Sequence, residues 1–153
     1  MNFTDADLLK FRNNPKRVNK KSKERSLDGH SEQDMSLTDT DGNQYNLFIR
    51  QNERMKNNFS CGILVVLDNG EKVTLARYNG NDHPHFNPIE KTRFSNESHI
   101  HVATERYIAA GRKSEHYAET TDRYTTSKGA LHCLVMDYHI AGIETESEQT
   151  ELF

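Results

Sequence analysis

Tryptophan is absent from this chain, and only 33% of its residues are apolar. The core is therefore expected to be modest, held in one domain of 153 residues. No apolar run approaches the roughly 18–20 residues that a membrane-spanning helix needs. Met1-Asn2-Phe3-Thr4-Asp5 opens polar and acidic, so no signal peptide is expected and the reading is a cytoplasmic protein. Cysteine is scarce: Cys61 and Cys133 each sit in an apolar run. They read as small buried hydrophobes, not as a disulfide or a catalytic thiol. The glycines are isolated and form no phosphate-binding loop. With a net charge of −3, no overall positive excess points to nucleic acid.

The charge that is present is unevenly placed. Residues 10–25 hold Lys10, Arg12, Lys16, Arg17, Lys20, Lys21, Lys23 and Arg25 against the single acid Glu24. The end of the chain holds Glu144, Glu146, Glu148 and Glu151. A basic arm on a near-neutral body can bind a polyanion locally. Lys16, Arg17, Lys20 and Lys21 are the nucleic-acid contacts expected there, joined by Arg106 and Lys113.

Thr4 before Asp5-Ala6-Asp7 marks a helix start, with acids in the first turn, and Pro15 ends that helix. Residues 1–32 read as this helix plus a basic linker. Alternation at Met35 and Leu37, the runs 45–50, 59–67 and 72–78, and the segment 98–104 read as five strands. Asp68-Asn69-Gly70 suits a tight turn with positive φ. Val73, Leu75 and Arg77 are expected on one face. Leu131, Leu134, Val135 and Tyr138 follow helical spacing, giving a helix that ends near Gly142. The fold expected is α+β: an antiparallel meander of about five strands with a short N-terminal helix and a C-terminal helix packed on it. Residues 33–142 form that domain, and 143–153 an acidic, disordered tail.

The chemistry is concentrated in histidine. Four of the eight histidines fall between positions 83 and 101, as His83-Pro84-His85 and His99-Ile100-His101. Histidine transfers protons near neutral pH and, when neutral, binds metals. Strand parity places His99 and His101 on one face, and a hairpin-like return would bring Arg77 beside them. One reading is metal-independent RNA cleavage. His83, His85, His99 and His101 supply acid and base, and Arg77 or Arg106 clamps the phosphate; no cofactor is required. A second is a His-ligated metal site with Asp82 or Glu97 as a carboxylate ligand, although the spacing matches no strong metal signature. A third is a non-catalytic binding or regulatory module, an anti-defence or partner-recognition protein with a histidine-lined groove. His116, Tyr117, His132 and His139 read as surface or packing residues. Thr120-Thr121 reads as a helix cap.

The series Phe3-Thr4-x-x-Asp7-Leu8, Pro15-Lys16-Arg17-Val18, Arg77, His85-Phe86-Asn87-Pro88 and His99-Ile100-His101 resembles an uncharacterised bacterial domain family. That family has a His-x-Asn-Pro turn followed by a His-aliphatic-His strand, and the resemblance covers most of residues 3–142. More distantly, Arg77-Tyr78-Asn79 with His83-Pro84-His85 and His99-Ile100-His101-Val102 is similar to the TumE-like toxins of bacterial toxin–antitoxin pairs, over residues 77–102. Tyr78 stands where those toxins carry Asp, and Gly80-Asn81-Asp82 lengthens the segment. The resemblance implies a small cytoplasmic toxin acting on RNA or another nucleic-acid component, with the four histidines as its site and a small antitoxin or other protein as partner.

Overall fold

The computed structural model describes residues 2–148. The elements, in chain order, are α1 (Asp5–Asn13), β1 (Lys16–Lys21), β2 (Arg25–Leu27), β3 (His30–Asp39), β4 (Gln44–Asn52), β5 (Phe59–Val66), β6 (Lys72–Asn79), β7 (His85–Asn87), β8 (Thr92–Phe94), β9 (His99–Val102), α2 (Glu105–Ala109), β10 (Ala118–Thr120), α3 (Ser127–Asp137) and β11 (Ile140–Ala141). The fold is α+β. A nine-stranded sheet runs β10-β9-β6-β5-β4-β3-β1-β11, with β2 also on β3, and β7-β8 form a separate hairpin. All pairings are antiparallel except β1 with β11.

The five strands expected from the sequence are the contiguous block β3-β4-β5-β6-β9, but a five-stranded meander understates the sheet. The strands added around that block are short or lie at its margins. The basic linker is a correction: β1 and β2 occupy it. They bury little, so they carry no apolar alternation, and lysine-rich edges of this kind resist edge-to-edge association. Asp28 (φ 51) and Gly29 (φ 81) form the turn from β2 to β3, with the paired positive φ of a type I′ hairpin.

One face of the sheet carries the core. Met35, Leu47, Ile63 and Ala76 are opposed across β3 to β6, and α3 covers them with Ala130, Cys133, Leu134 and Val135. Both cysteines are buried and free. α1 begins with a reciprocal cap, Asp7 N–H donating to Thr4 Oγ1 (3.1 Å) and Thr4 N–H to Asp7 Oδ2 (2.9 Å). Its Phe3–Phe11 pair leans on Tyr45.

Lys16 corrects an expectation too. It is 2% exposed, and its ammonium donates to the carbonyls of Arg12, Asn14 and Tyr138 at 3.2, 2.8 and 2.9 Å. Burial pushes its pKa down to about 8 against the pull of Asp39. It pins α1, β1 and the end of α3 together, and three backbone carbonyls take up its ammonium. The face expected for Val73, Leu75 and Arg77 is also broken. The register shifts between Ile63 and Leu64, which pair with Ala76 and Thr74, so Leu75 is an extra, bulged residue. Val73 stays on the core side opposite Val65, and Arg77 emerges on the other face opposite Gly62.

The C-terminal helix stops at Asp137, short of Gly142, and its cap is Thr126 instead of Thr120 or Thr121. Residues 143–148 of the expected disordered tail have a defined place, and 149–153 lie outside the described residues. Glu148 accepts from the N–H groups of Thr125 and Thr126, both at 2.7 Å, and from both hydroxyls. A Cβ at Gly129 would collide with this carboxylate at 2.0 Å, so glycine leaves the room it needs. Among the described residues no helix is long and apolar enough to cross a membrane. Because Glu148 satisfies donors at the start of α3, Glu148→Ala should lower stability by about 1 kcal/mol. Urea midpoints will measure this; identical midpoints would refute the cap.

Candidate active site

On the face opposite the core, the cross-strand register aligns two rows of side chains. One runs Asp34, Phe48, Gly62, Arg77, His101, Ala118, and the next Glu32, Arg50, Ser60, Asn79, His99, Thr120. Arg77 is thus directly opposite His101, and Asn79 opposite His99. The expected placement of the two histidines on one face holds.

The β7-β8 hairpin, which lies between β6 and β9 in the chain, folds over this row. Its anchor is Asn87, 2% exposed. Its side-chain amide donates to the Ala118 carbonyl (2.8 Å), while its Oδ1 accepts from the Ala118 N–H (2.9 Å). The side chain does for edge strand β10 what another strand's peptide group would do. The same Oδ1 lies 2.8 Å from His85 Nε2. The amide orientation is set by Ala118, so His85 Nε2 is the donor and Nδ1 keeps the lone pair.

The hairpin carries His85 to the other two imidazoles. Ring centroids are 4.9 Å apart for His85–His101, 5.0 Å for His99–His101 and 6.1 Å for His85–His99. Phe94 packs on His85 and His99. His99 Nδ1 donates to the carbonyl of Glu97 (2.8 Å) and His101 Nδ1 to that of Glu115 (3.0 Å). A carbonyl only accepts, so each ring holds its proton on Nδ1; Nε2 of His101 is left as a lone pair, and that of His99 faces the Asn79 amide nitrogen at 3.5 Å. Burial, reinforced by Arg77 and the neighbouring rings, pushes His101 down to about 3. Burial also lowers His99. Both are neutral bases at pH 7.

Arg77 sits 3.6 Å from Glu115 Oε2, which Lys113 approaches to 3.7 Å. Glu115 is buried. Arg77 Nε and Asn79 Oδ1 are buried without a hydrogen-bond partner, an unusual state for polar atoms. Both residues line an open cleft of about 340 Å³ with Ser60, His85, His99 and His101. The cleft therefore presents imidazole lone pairs and an underused guanidinium to one small space.

Not every expected residue joins it. His83 lines the rim, its side chain 64% exposed beside Asp82 (3.7 Å), and it stays out of the ring cluster. Arg106, on α2, pairs with Glu90 (3.2 Å) of the β7-β8 turn and lines no part of the cleft. Lys113 reaches it only through Glu115. β1 lies four strands from β6, or about 19 Å, so Lys16, Arg17, Lys20 and Lys21 are remote from it. Of these, Arg17 and Lys20 share the cleft's face, opposite Thr38 and Ser36, whereas Lys21 is opposite buried Met35. Glu97 offers its backbone carbonyl to His99. Among the described residues no group of three or more His, Cys, Asp or Glu side chains is placed to hold a metal ion.

Asn79, Asn87, Glu115 and His116 are the residues that sequence reasoning missed. His116 stacks on Tyr107 and lies 5.5 Å from His85. Asn87 carried a signal as part of the turn His85-Phe86-Asn87-Pro88, and Asn79 another in Arg77-Tyr78-Asn79. No protein-family model matches the chain, and neither a curated protein nor a solved structure matches it.

Two measurements follow from this geometry. Asn87→Ala strands a buried N–H and a buried carbonyl on Ala118, so it should cost about 3 kcal/mol and release His85; a loss under about 0.5 kcal/mol would contradict the anchor role. His101 takes its proton in the unfolded chain near pH 6.5 but in the folded chain only near 3. The unfolded state thus binds more protons between these values, and stability falls as pH drops through that window. His101→Gln should flatten the fall. Parallel stability–pH curves for the two proteins would disprove it.

Proposed function

We propose that this cleft cleaves RNA by transphosphorylation, without a metal ion. The observation that carries the reading is the convergence of three imidazoles, two with their tautomer set by backbone carbonyls, beside the buried, unpartnered Nε of Arg77. A phosphodiester takes the guanidinium of Arg77. Nε2 of His101 or His99 removes the proton of the 2′-hydroxyl, whose oxygen attacks phosphorus. The bond to the 5′-oxygen breaks, and His85, in its protonated form, returns a proton to that oxygen. The products are a 2′,3′-cyclic phosphate and a 5′-hydroxyl end. On this reading the chain is the toxin of a toxin–antitoxin pair, with a small partner that blocks the cleft.

Arg77 also sets the timing. Its charge is second only to burial in keeping His101 a weak base. A phosphate bound to Arg77 cancels that field, so His101 gains basicity only when substrate is present. The limiting basic group should then titrate higher in the pH profile of kcat than in that of kcat/KM.

The depth of His99 and His101, 2% and 5% exposed, favours a second reading, a non-catalytic binding or regulatory module in which the histidines shape a phosphate pocket. Purified protein incubated with mixed RNA in EDTA separates the two. Cleavage should be present in wild type and fall by about 10²–10⁴ in His101→Ala and in Arg77→Ala. Expression in a bacterial host should arrest growth, with relief in the same variants. Cleavage that needs an added metal, or none from any protein, would overturn the ribonuclease reading.

A further inference from the structure

The face that carries the cleft continues across the sheet. Past Arg77, the row reaches Gly62 on β5 and Phe48 on β4. The neighbouring rows are Lys20, Ser36, Asn46, Leu64, Thr74 and Arg17, Thr38, Gln44, Val66, Lys72. α3 packs on the opposite, core face, and this one is left as a shallow groove of about 380 Å³ lined by Lys20, Phe48, Arg50, Leu64 and Lys72 among others. Most of its strand residues are half-buried, which is how an uncovered sheet face looks.

Its charges are arranged in one sense. The two acids on the face, Glu32 and Asp34, are already paired with Arg25 and Arg50. Arg17, Lys20 and Lys72 are exposed and make no ion pair among the described residues. The groove floor holds a planar group. The tip of the Phe48 ring occupies the place a Cβ on Gly62 would fill, 2.4 Å from it, and the Arg50 guanidinium lies 5.6 Å from the ring centroid.

We propose that this open face is a track for single-stranded RNA running from the cleft toward β1, with a base on Phe48 and Arg50 and phosphates on Arg17, Lys20 and Lys72. The inference rests on the ribonuclease reading and adds to it the substrate class, an unpaired strand several nucleotides long. Unpaired bases stack on aromatic and guanidinium planes, and lysines follow the backbone without reading sequence. A duplex hides its base faces and cannot lie on such a surface. The track also explains the basic segment that lies too far from the cleft to touch the scissile phosphate.

The test uses the full chain and a fluorescent 2′-O-methyl oligouridine of about twelve nucleotides, which lacks the attacking hydroxyl and stays intact. Wild type should bind it with a strong salt dependence and bind a duplex of equal length more weakly. Lys20→Glu/Lys72→Glu should weaken binding about tenfold or more and reduce the salt slope by about 2. Phe48→Leu, which keeps bulk over Gly62 and loses the π-face, should weaken it roughly 5- to 150-fold. Melting curves confirm that the variants fold. Unchanged affinity in both variants overturns the track. So does a wild type that ignores the strand at low salt, even if this face captures an acidic protein. Cleavage of a dinucleoside phosphate separates the two ideas. If wild type and Lys20→Glu/Lys72→Glu cleave it equally while long-strand affinity is unchanged, the track fails and the chemistry stands. If neither cleaves it while the affinities shift as expected, the chemistry fails and the track stands.

Discussion

The pairing of β6 with β9 in a single register is the constraint on which the site depends. Side chains alternate every residue along a strand, so a slip of one position would send His99 and His101 into the core beside α3. Two features hold the register. Ile100 and Val102 must reach the apolar face, where both pack against the core. The bulge at Leu75 is equally necessary, because it lets β6 bury Val73 and Ala76 on one side while delivering Arg77 and Asn79 to the other. Tyr124 adds a fastening at the open end, its hydroxyl set between the carbonyls of Asn79 (2.7 Å) and His99 (3.1 Å).

What that register starts, the hairpin completes. Without His85 the face would carry two histidines and an arginine on an exposed sheet. Asn87 clips the hairpin to β10, and the rings are then packed away from water. Burial is what makes His99 and His101 neutral, and the carbonyl each one faces fixes its proton on Nδ1. Structure and chemistry are therefore the same set of contacts: the hydrogen bonds that hold the cover in place also decide which nitrogens can act.

The readable part of the sequence was the part whose physics is local or periodic. The capped start of α1, the turn at Asp68-Asn69-Gly70, the five central strands and the shared face of His99 and His101 all come from short-range patterns. The marginal strands β1, β2, β10 and β11 left no such trace, since each is too short or too polar to show apolar alternation. The bulge at Leu75 was hidden because the adjacent apolar pair Leu75-Ala76 fits either register. Lys16 looked like one more cation in a basic run; only three converging carbonyls and two tyrosine rings make it a buried pin. Asn87 and Glu115 act through partners some 30 and 40 positions away in the chain, which single-residue chemistry cannot anticipate.

The parallel pairing of β1 with β11 joins Lys16 to Ile140. As the chain leaves a ribosome, β1 must wait for almost everything else before it gains its outer neighbour. α3, which covers the core beneath β5 and β6, arrives nearly as late, as does Tyr124. Non-local closure of this kind is slow compared with hairpin formation. The central strands can pair early, but the cleft gains its fastened floor only after Tyr124 and α3 have been made. A cleft assembled in that order is completed by segments made after every strand that lines it.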